Sequence, residues 1–258
     1  MNPSPEPGPI TVGDRILARG AASYAVRMAS STEEIKAAQR LRFEVFNLEM
    51  REGLAESYAT GLDVDDFDEV CDHLIVEETG SRLVVGTYRL QTGTTAAARR
   101  GYYSQQEFDF RPFEAARAQI IELGRACVHA QHRNLSVLSL LWKGIATYAR
   151  ANASRYLIGC SSLTSQDERE GASMYRQLSE RYLAAPEWRT VPQPSHQCSL
   201  AELANPSPRV PKLLAAYLSI GAKICGPPAI DREFKTIDFL TFLDIQALPP
   251  QIVQKYLT

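Results

Sequence analysis

Apolar and polar residues along the front of the chain follow a pattern that predicts a strand, a helix and a hairpin. Residues 23–30 alternate with a period of two, which is typical of a strand with one buried face. Two strand-like runs joined at Gly80 and Ser81 predict a β-hairpin over residues 72–92. Between them, residues 31–51 predict an amphipathic helix, because their apolar side chains recur at spacings of three and four. These side chains are Ile35, Ala38, Leu41, Val45 and Leu48.

The middle of the chain changes period twice and predicts a strand–helix–strand unit. A strand over residues 119–129 precedes a helix over 134–152 and a second strand over 155–162. A connection of this length normally joins two parallel strands through a right-handed crossover. This unit therefore predicts a parallel strand pair within the sheet.

The predicted elements together indicate an α/β (α+β) fold with a mixed central sheet flanked by helices. The C-terminal third predicts helices at 167–184 and 211–221, a strand at 236–245 and a short final helix, whereas residues 93–118 are predicted to be irregular. We expect one domain over residues 23–258. The proline-rich residues 1–22 predict a disordered or loosely packed N-terminal arm.

Composition and charge narrow the classes of function. Lys and Arg total 28 against 30 Asp and Glu, so the net charge of −2 gives no overall reason to bind nucleic acid. The five cysteines form no CxxC pair, which argues against a disulfide framework or a zinc site. No segment reads as a signal peptide or a membrane span, so we expect a cytoplasmic protein that meets a membrane, if at all, at its surface.

Two charged residues interrupt the apolar strand that begins the crossover. Glu122 and Arg125 lie three positions apart among Ile120, Leu123 and Val128. A charge buried in a strand is costly unless it is paired. The pair is therefore either a structural ion pair or a group that anchors substrate and handles protons in a cleft.

The turn 130-AQHRNLSV-137 places polar and basic side chains where the crossover helix begins. Free backbone N–H groups at a helix N-terminus suit an anion, although an ordinary capped helix start has the same composition. The chain contains neither a phosphate-binding G-x-x-x-x-G-K pattern nor a dinucleotide-binding G-x-G-x-x-G pattern.

Strand, polar turn, helix and second strand between residues 119 and 163 resemble the core of the GNAT acyltransferases. The resemblance implies a phosphopantetheine arm seated between two splaying parallel strands, with its thioester near a backbone N–H between Arg125 and Cys127. The family's usual turn is Q/R-x-x-G-x-G/A, and 131-QHRNLSV-137 lacks both glycines. This departure favours acyl-ACP over acyl-CoA as the donor, with no tightly bound cofactor.

A narrower resemblance rests on four short blocks in the front half of the chain. In order they are 41-LRFEVF-46, 65-DDFD-68, 88-YRL-90 and 122-ELGR-125. This order resembles the acyl-homoserine-lactone synthases, GNAT relatives that acylate an amine from acyl-ACP. In that family these blocks shape the active site.

The rest of the chain resembles the ornithine-lipid and N-acyl amino acid synthases, also called hemolysin-like acyltransferases. The resemblance covers roughly residues 35–247 and is carried by 71-CDHLIV-76, 141-LWKGIATYA-149, 213-LLAAYLSIGAKICGPPAID-231 and 236-TIDFLTFLDI-245. It implies transfer of a 3-hydroxy fatty acyl chain from acyl carrier protein to the α-amine of an amino acid such as ornithine. The product is a lyso-lipid, which implies peripheral contact with the inner membrane.

These resemblances imply roles for individual residues, each of which also has a purely structural alternative. Glu122 is the predicted base, and Asp65 and Asp68 complete the catalytic group and orient the amino acid. The predicted amino-acid site comprises Arg42, Phe46, His73 and Arg89. The predicted acyl-donor site comprises Arg125, Ala126, Cys127, Arg133, Asn134 and Ser136.

Other chemistries find less support in the sequence. The four histidines are dispersed and lack ligand spacing, which argues against a metal site. Cys127 and Cys160 lack an evident histidine relay, which argues against an acyl-enzyme. Arg99, Arg100, Arg111, Arg117 and Arg133 could form a basic dock for the acidic carrier protein, or be scattered solubilising charge.

Two other functions stay open at this point. The chain could synthesise another N-acyl amino acid or a signal of the acyl-homoserine-lactone type. It could also be a non-catalytic module that binds acyl-ACP or lipid, although Glu122, Arg125 and both D-x-x-D carboxylates argue against lost chemistry.

Overall fold

A single eight-stranded sheet forms the centre of the molecule in the computed structural model, which describes residues 23–256 and the side chains up to 254. The predicted N-terminal arm, residues 1–22, lies outside the described residues. The strands are β1 (Tyr24–Met28), β2 (Asp72–Glu78), β3 (Val84–Thr92), β4 (Ile120–Val128), β5 (Tyr156–Leu163), β6 (Lys223–Ile224), β7 (Ala229–Asp231) and β8 (Thr236–Asp244).

Helices connect these strands and cover both faces of the sheet. They are α1 (Thr32–Phe43), α2 (Ser57–Thr60), α3 (Gly93–Ala98), α4 (Leu135–Ala151), α5 (Glu168–Tyr182), α6 (Lys212–Ser219) and α7 (Pro250–Tyr256). A π-helical segment, Glu44–Glu49, continues α1, and 3₁₀ helices include Asp66–Glu69, Tyr103–Gln106 and Arg111–Gln119. The prediction that residues 93–118 are irregular is therefore wrong in part, because short helices that propensity alone does not reveal occupy much of this segment.

The strand order is β1-β2-β3-β4-β5-β8-β6, with β7 also paired to β8. All of these pairs are antiparallel except β4 with β5, which is parallel and is joined by α4. The predicted mixed sheet with one parallel crossover pair is therefore confirmed. The strands β6 and β7 were not predicted, because two or three residues are too few to show a period.

The two sheet faces bury different clusters. Val137, Leu140 and Leu141 of α4 pack on one face against side chains such as Leu90 and Leu123. On the opposite face, Ala38 and Leu41 of α1 pack against residues that include Ile75 and Cys127. Each helix thus buries one face against the sheet, and its apolar side chains lie on that face.

The parallel strands β4 and β5 part after a short contact. They pair only from Ile120 to Glu122, although both strands continue for at least five further residues. Between Thr87 and Arg89 of β3 the register with β4 shifts, so β4 contains a bulge at Arg125, whose φ is 47°. The pairing of β4 with β5 thus ends before the bulge, and the opening beyond it positions the site described next.

Candidate active site

A cavity of about 720 Å³ lies where β4 and β5 separate. Its walls come from the bulged half of β4, the end of β5, the π-helical segment, the start of α4 and α6. The polar lining comprises Glu49, Glu52, Arg89, Gln91, Tyr103, Ser104, Glu122, Arg125, Arg133, Asn134, Ser161, Ser162, Lys212, Asp231 and Asp238. Apolar side chains such as Leu135, Leu138 and Leu213 line another part of the wall.

Strand register explains why the polar groups meet on one face of the sheet. Residues directly opposite each other in neighbouring strands point to the same face. Gln91 pairs with Glu122, Glu122 pairs with Ile158, and Ser162 pairs with Asp238. By alternation, Arg89 and Cys160 also belong to this face. One sheet face therefore carries charged and polar groups from β3, β4, β5 and β8.

Glu122 is buried, and its carboxylate accepts three hydrogen bonds. Oε2 accepts from the Tyr103 backbone N–H at 2.8 Å, and Oε1 accepts from the Ser104 N–H at 2.8 Å and the Ser104 hydroxyl at 2.7 Å. Burial raises its pKa, and the Ser104 hydrogen bonds and the charge of Arg89 oppose that rise. A carboxylate offers about four lone-pair positions, so one stays available for an amine or a water molecule.

Three arginines and three aspartates form a closed ring of ion pairs beside the cavity. Arg42 pairs with Asp63 and Asp68. Arg89 pairs with Asp65 and Asp68, and Arg125 pairs with Asp63 and Asp65. Each member of this charge ring therefore has two partners of opposite sign. Such a network holds buried charges that would otherwise be strongly destabilising.

The charge ring keeps the carboxylates of Asp65 and Asp68 ionised. Burial opposes ionisation of Asp65, but the attraction of Arg89 and Arg125 outweighs it and lowers the pKa of this carboxyl. Burial likewise opposes ionisation of Asp68, and Arg42 and Arg89 lower its pKa. These carboxylates already have positive partners.

Aromatic side chains hold in place the two arginines of the charge ring that reach the cavity. The guanidinium of Arg125 lies 4.4 Å from the centre of the Phe234 ring and 4.9 Å from that of Tyr103. Arg89 lies 5.6 Å from the centres of the Phe67 and Tyr103 rings. Because Tyr103 also donates its N–H to Glu122, one residue connects the charge ring to the buried carboxylate.

The structure brings most of the predicted site residues to the cavity but not all of them. Those that line it are Phe46, Arg89, Glu122, Arg125, Ala126, Cys127, Arg133 and Asn134. Arg42, Asp65, Asp68, His73 and Ser136 do not line it. Arg42 is fully buried within the charge ring, and His73 contacts the Asp68 carbonyl at 3.2 Å. Burial lowers the pKa of His73.

The start of α4 is a capped helix end with a neutralised arginine. Asn134 Oδ1 accepts the Val137 N–H at 3.1 Å. Arg133 forms a two-pronged ion pair with Glu49 and donates to the Val128 carbonyl. The basic side chain at this turn therefore carries less free charge than the sequence suggests.

Several cavity residues were not singled out from the sequence. Gln91, Glu52, Tyr103, Ser104 and Asp238 belong to this group, and so does Glu107, which adjoins the cavity residue Cys160 without lining the cavity. Asp238 gave the same signal as Glu122, a carboxylate within the apolar run 236-TIDFLTFLDI-245. Glu107 lies in the segment predicted to be irregular, so no period marked it. Gln91 is buried, and its side-chain N and O find no partner in the part of the chain that the structure describes.

Comparison with known proteins identifies the family. The chain is 33% identical over 245 residues to an L-ornithine N(alpha)-acyltransferase of Agrobacterium fabrum, covering 89% of this chain and 84% of the relative. It is 32% identical to one of Brucella abortus, with 95% and 92% covered. The chain belongs to the L-ornithine N(alpha)-acyltransferase family. Residues 41–143 match the acetyltransferase (GNAT) domain, so this family member is an acyltransferase with the GNAT fold.

Solved structures agree with this family fold. The acyl-homoserine-lactone synthase LasI aligns with a TM-score of 0.54 at 13% identity, over 92% of this chain and 96% of its own. FeeM, an N-acyl amino acid synthase from uncultured soil microbes, aligns at 0.53 and 13% identity, over 88% and 93%. At these identities the likeness shows the fold alone. Among the described residues, no helix of this family member has the length and hydrophobicity to cross a bilayer.

Proposed function

We propose that this enzyme transfers a 3-hydroxy fatty acyl chain from acyl-ACP to the α-amine of ornithine. The observation that carries the proposal is the buried Glu122 carboxylate in the wall of the cavity between β4 and β5. The names of the relatives above and the mixed lining of the cavity, polar on one part and apolar on another, support it.

Acyl transfer here needs one nucleophile and one proton acceptor. The α-amine attacks the thioester carbonyl, a C–N bond forms, and the C–S bond breaks as the pantetheine thiolate leaves. Glu122 accepts a proton from the amine, directly or through a water molecule, and the thiolate takes up a proton on departure. A carboxylate whose pKa is raised by burial is a better base for this step than an exposed one.

The bulge in β4 offers the means to polarise the thioester carbonyl. Beyond Glu122 no residue of β4 pairs with β5 in the described structure. Backbone N–H groups between Arg125 and Cys127 can therefore face the oxyanion of the tetrahedral intermediate, the role that preorganised donors serve in acyl transfer. Ala126 and Cys127 therefore act through their backbone N–H groups on this segment.

The cysteines in this region are poor nucleophiles, which supports direct attack by the amine. Burial raises the pKa of Cys127 and of Cys160, and nearby carboxylates add to the rise at Cys160. The thiolate is the reactive form, so such groups stay protonated near neutral pH. The proposal therefore has no acyl-enzyme intermediate.

The charge ring positions the groups that hold the amino acid. Arg89 reaches the cavity wall while Asp65 and Asp68 fix its guanidinium. We assign Arg89, with the neighbouring Gln91, to the acceptor's carboxylate. Arg42, His73 and Asp68 support this arrangement from behind, and Phe46 packs against Phe234 beneath Arg125.

The start of α4 supports acyl-ACP as the donor. Arg133 forms an ion pair with Glu49, and Asn134 caps the helix. The glycines of the usual GNAT turn are missing. One phosphodiester needs fewer donors than a pyrophosphate does. Ser136 is the second residue of α4, within the same segment. The apolar side chains of Met50 and Leu135, which is 78% exposed, support peripheral contact of the cavity mouth with a bilayer.

Replacement of Glu122 tests the function. Wild-type enzyme with acyl-ACP and ornithine should release free thiol and form N-acylornithine, detected by mass spectrometry. Glu122→Gln should lower kcat/KM by about 10²–10⁴, the usual contribution of a positioned base. Exposed Glu187→Gln serves as the matched control.

Two outcomes would contradict the proposal. Wild-type activity in Glu122→Gln, with an unchanged circular dichroism spectrum, would remove Glu122 from the mechanism. A panel of the 20 common amino acids plus ornithine, with no acylated product from acyl-ACP or acyl-CoA, would remove the function itself.

A further inference from the structure

Two buried carboxyl groups, one of them in the cavity wall, lie together as an acid pair without a positive partner. Glu107 follows the 3₁₀ helix Tyr103–Gln106, and Asp238 lies on β8. Their carboxylate oxygens and the Cys160 Sγ all lie within 4.8 Å of one another. Glu107 is 2% exposed and Asp238 is 3% exposed. Asp238 and Cys160 line the cavity, and Glu107 adjoins both without lining it, so a ligand in the cavity can contact Asp238 and come close to Glu107.

The acid pair leaves hydrogen-bonding capacity unused. Glu107 Oε1 and Asp238 Oδ1 have no hydrogen-bond partner among the described residues. The other oxygens have neutral partners, with Asp238 Oδ2 accepting from the Thr236 hydroxyl at 3.1 Å and Glu107 Oε2 near the Cys160 thiol at 3.5 Å. An unpaired buried carboxylate oxygen is destabilising, so its persistence indicates a use in binding.

The nearby charge ring differs from the acid pair, because its carboxylates have positive partners. Each aspartate of the charge ring contacts two arginines, whereas neither Glu107 nor Asp238 forms an ion pair within the part of the chain that the structure describes. Burial raises the pKa of both groups; repulsion from Asp238 adds to the rise at Glu107, and repulsion from Asp231 adds to the rise at both. The acid pair is therefore the part of the cavity that gains most from an added cation.

Glu122 and the acid pair share two neighbours, Ser104 and Cys160. The Ser104 hydroxyl donates to Glu122, and the Cys160 thiol lies near Ser104, Glu122, Glu107 and Asp238, all of which influence its pKa. Two side chains, Ser104 and Cys160, thus separate the predicted base from the acid pair. This separation suits an amino acid whose two amines are joined by a short aliphatic chain.

A substrate ammonium fits the acid pair better than a metal ion. Burial and the adjacent carboxylates keep Cys160 in its thiol form, and metals bind the thiolate. Without that ligand, two carboxylates remain, which is few for a protein metal site. An ammonium needs only hydrogen-bond acceptors, and the two unpartnered oxygens supply them.

We propose that Glu107 and Asp238 bind the side-chain ammonium group of the acceptor amino acid while its α-amine faces Glu122. This inference rests on the proposed function and adds the contact that selects a diamino acid over a neutral one. The ammonium contributes specificity because it gives the two acidic groups a positive partner, which a neutral side chain cannot supply.

Competition between L-ornithine and L-norvaline tests the inference, because norvaline has the same carbon chain without the second amine. Wild-type enzyme should show a kcat/KM for ornithine roughly 100-fold above that for norvaline. Glu107→Gln and Asp238→Asn should each lower this ratio at least roughly tenfold, mainly through a higher KM for ornithine. The exposed control Glu187→Gln should keep the wild-type ratio.

The outcomes separate this inference from the function on which it rests. A wild-type ratio near one, or variants that lose both substrates in proportion, would overturn the inference while leaving acyl transfer intact. Stoichiometric divalent metal in purified wild type that both variants lose would also overturn it. If wild type acylated no amino acid, both the inference and the proposed function would be wrong. The two substitutions lie on different elements, and thermal melts of both variants check that each remains folded.

Discussion

At the scale of single residues, burial decides the charge state of Glu52. This carboxyl lies in the cavity wall and accepts a hydrogen bond from the Thr164 hydroxyl at 2.7 Å. Burial raises its pKa to about 7, with a smaller contribution from Asp238 and an opposing one from Arg125. Above that pH the folded protein holds an ionised buried group that the unfolded chain would solvate. Between the ordinary glutamate pKa and 7, the folded state binds the extra proton, so stability falls as pH rises through this window.

Glu52→Gln should remove this pH dependence. At pH 8.5 the variant should be more stable than wild type by about 1–3 kcal/mol, since it no longer buries an ionised carboxylate. At pH 5.5 the difference should largely disappear, because Glu52 is then protonated in the folded state. Urea unfolding at the two pH values measures both numbers, with Glu187→Gln as control. Equal stability differences at both pH values would contradict the raised pKa.

At the scale of elements, the short contact between β4 and β5 depends on a glycine. A Cβ on Gly159 would lie 2.2 Å from the Leu123 carbonyl oxygen, a distance that requires the strands to move. The bulge at Arg125 then directs β4 away, and Arg125 joins the sheet face of Glu122. In a regular strand, positions 122 and 125 would point to opposite faces. The cavity therefore forms where β4 and β5 first approach each other closely at Gly159 and then separate.

Gly159→Ala should disturb this junction. We expect a loss of about 1–3 kcal/mol in unfolding free energy from overpacking, together with reduced acyl transfer. Gly80→Ala is the matched control, because its added Cβ meets nothing within 4 Å. Thermal melts and initial rates of both variants provide the measurement. Wild-type stability in Gly159→Ala would show that the two strands can separate further without cost.

At the scale of the whole molecule, the cavity has two chemically different ends. Asp238 of the acid pair and Arg89 and Arg125 of the charge ring line one part, whereas Leu135, Leu138 and Leu213 of α4 and α6 line another. This polarity implies that the acyl donor enters beside α4 and α6. Most of the arginines predicted to dock the carrier protein have acidic neighbours instead, namely Arg100 with Asp66, Arg111 with Asp109, Arg117 with Glu114 and Arg133 with Glu49.

Lys212 is the exposed cation that we expect to matter for the carrier protein, since it lines the cavity beside the apolar end. Lys212→Glu should raise the KM for acyl-ACP several-fold at low salt, and the difference should shrink at high salt. Arg111→Glu, at an exposed position outside the cavity, should have little effect. Steady-state kinetics at two ionic strengths decide between them. Equal KM values for both variants would contradict entry at this end.

The sequence by itself determined the longer elements and their order. Hydrophobic periods located the hairpin, the crossover unit and the long strand 236–245, because period and burial are local properties of a segment. The carboxylate inside an apolar strand marked Glu122 for the same reason. The four short blocks carried the resemblance to the acyl-homoserine-lactone synthases, because each block is a local run of residues.

Only the tertiary structure decided which charges neutralise each other. Asp65 pairs with Arg89 and Arg125, far away in sequence, so no local pattern shows that its charge is already matched. The same holds for Glu107 and Asp238, which meet across 131 residues and remain unmatched. Pairing of charges depends on distance in space and on burial, and a linear pattern carries neither quantity. The bulge that turns Arg125 toward the cavity likewise arises from the mismatch between two strands, and neither strand encodes it alone.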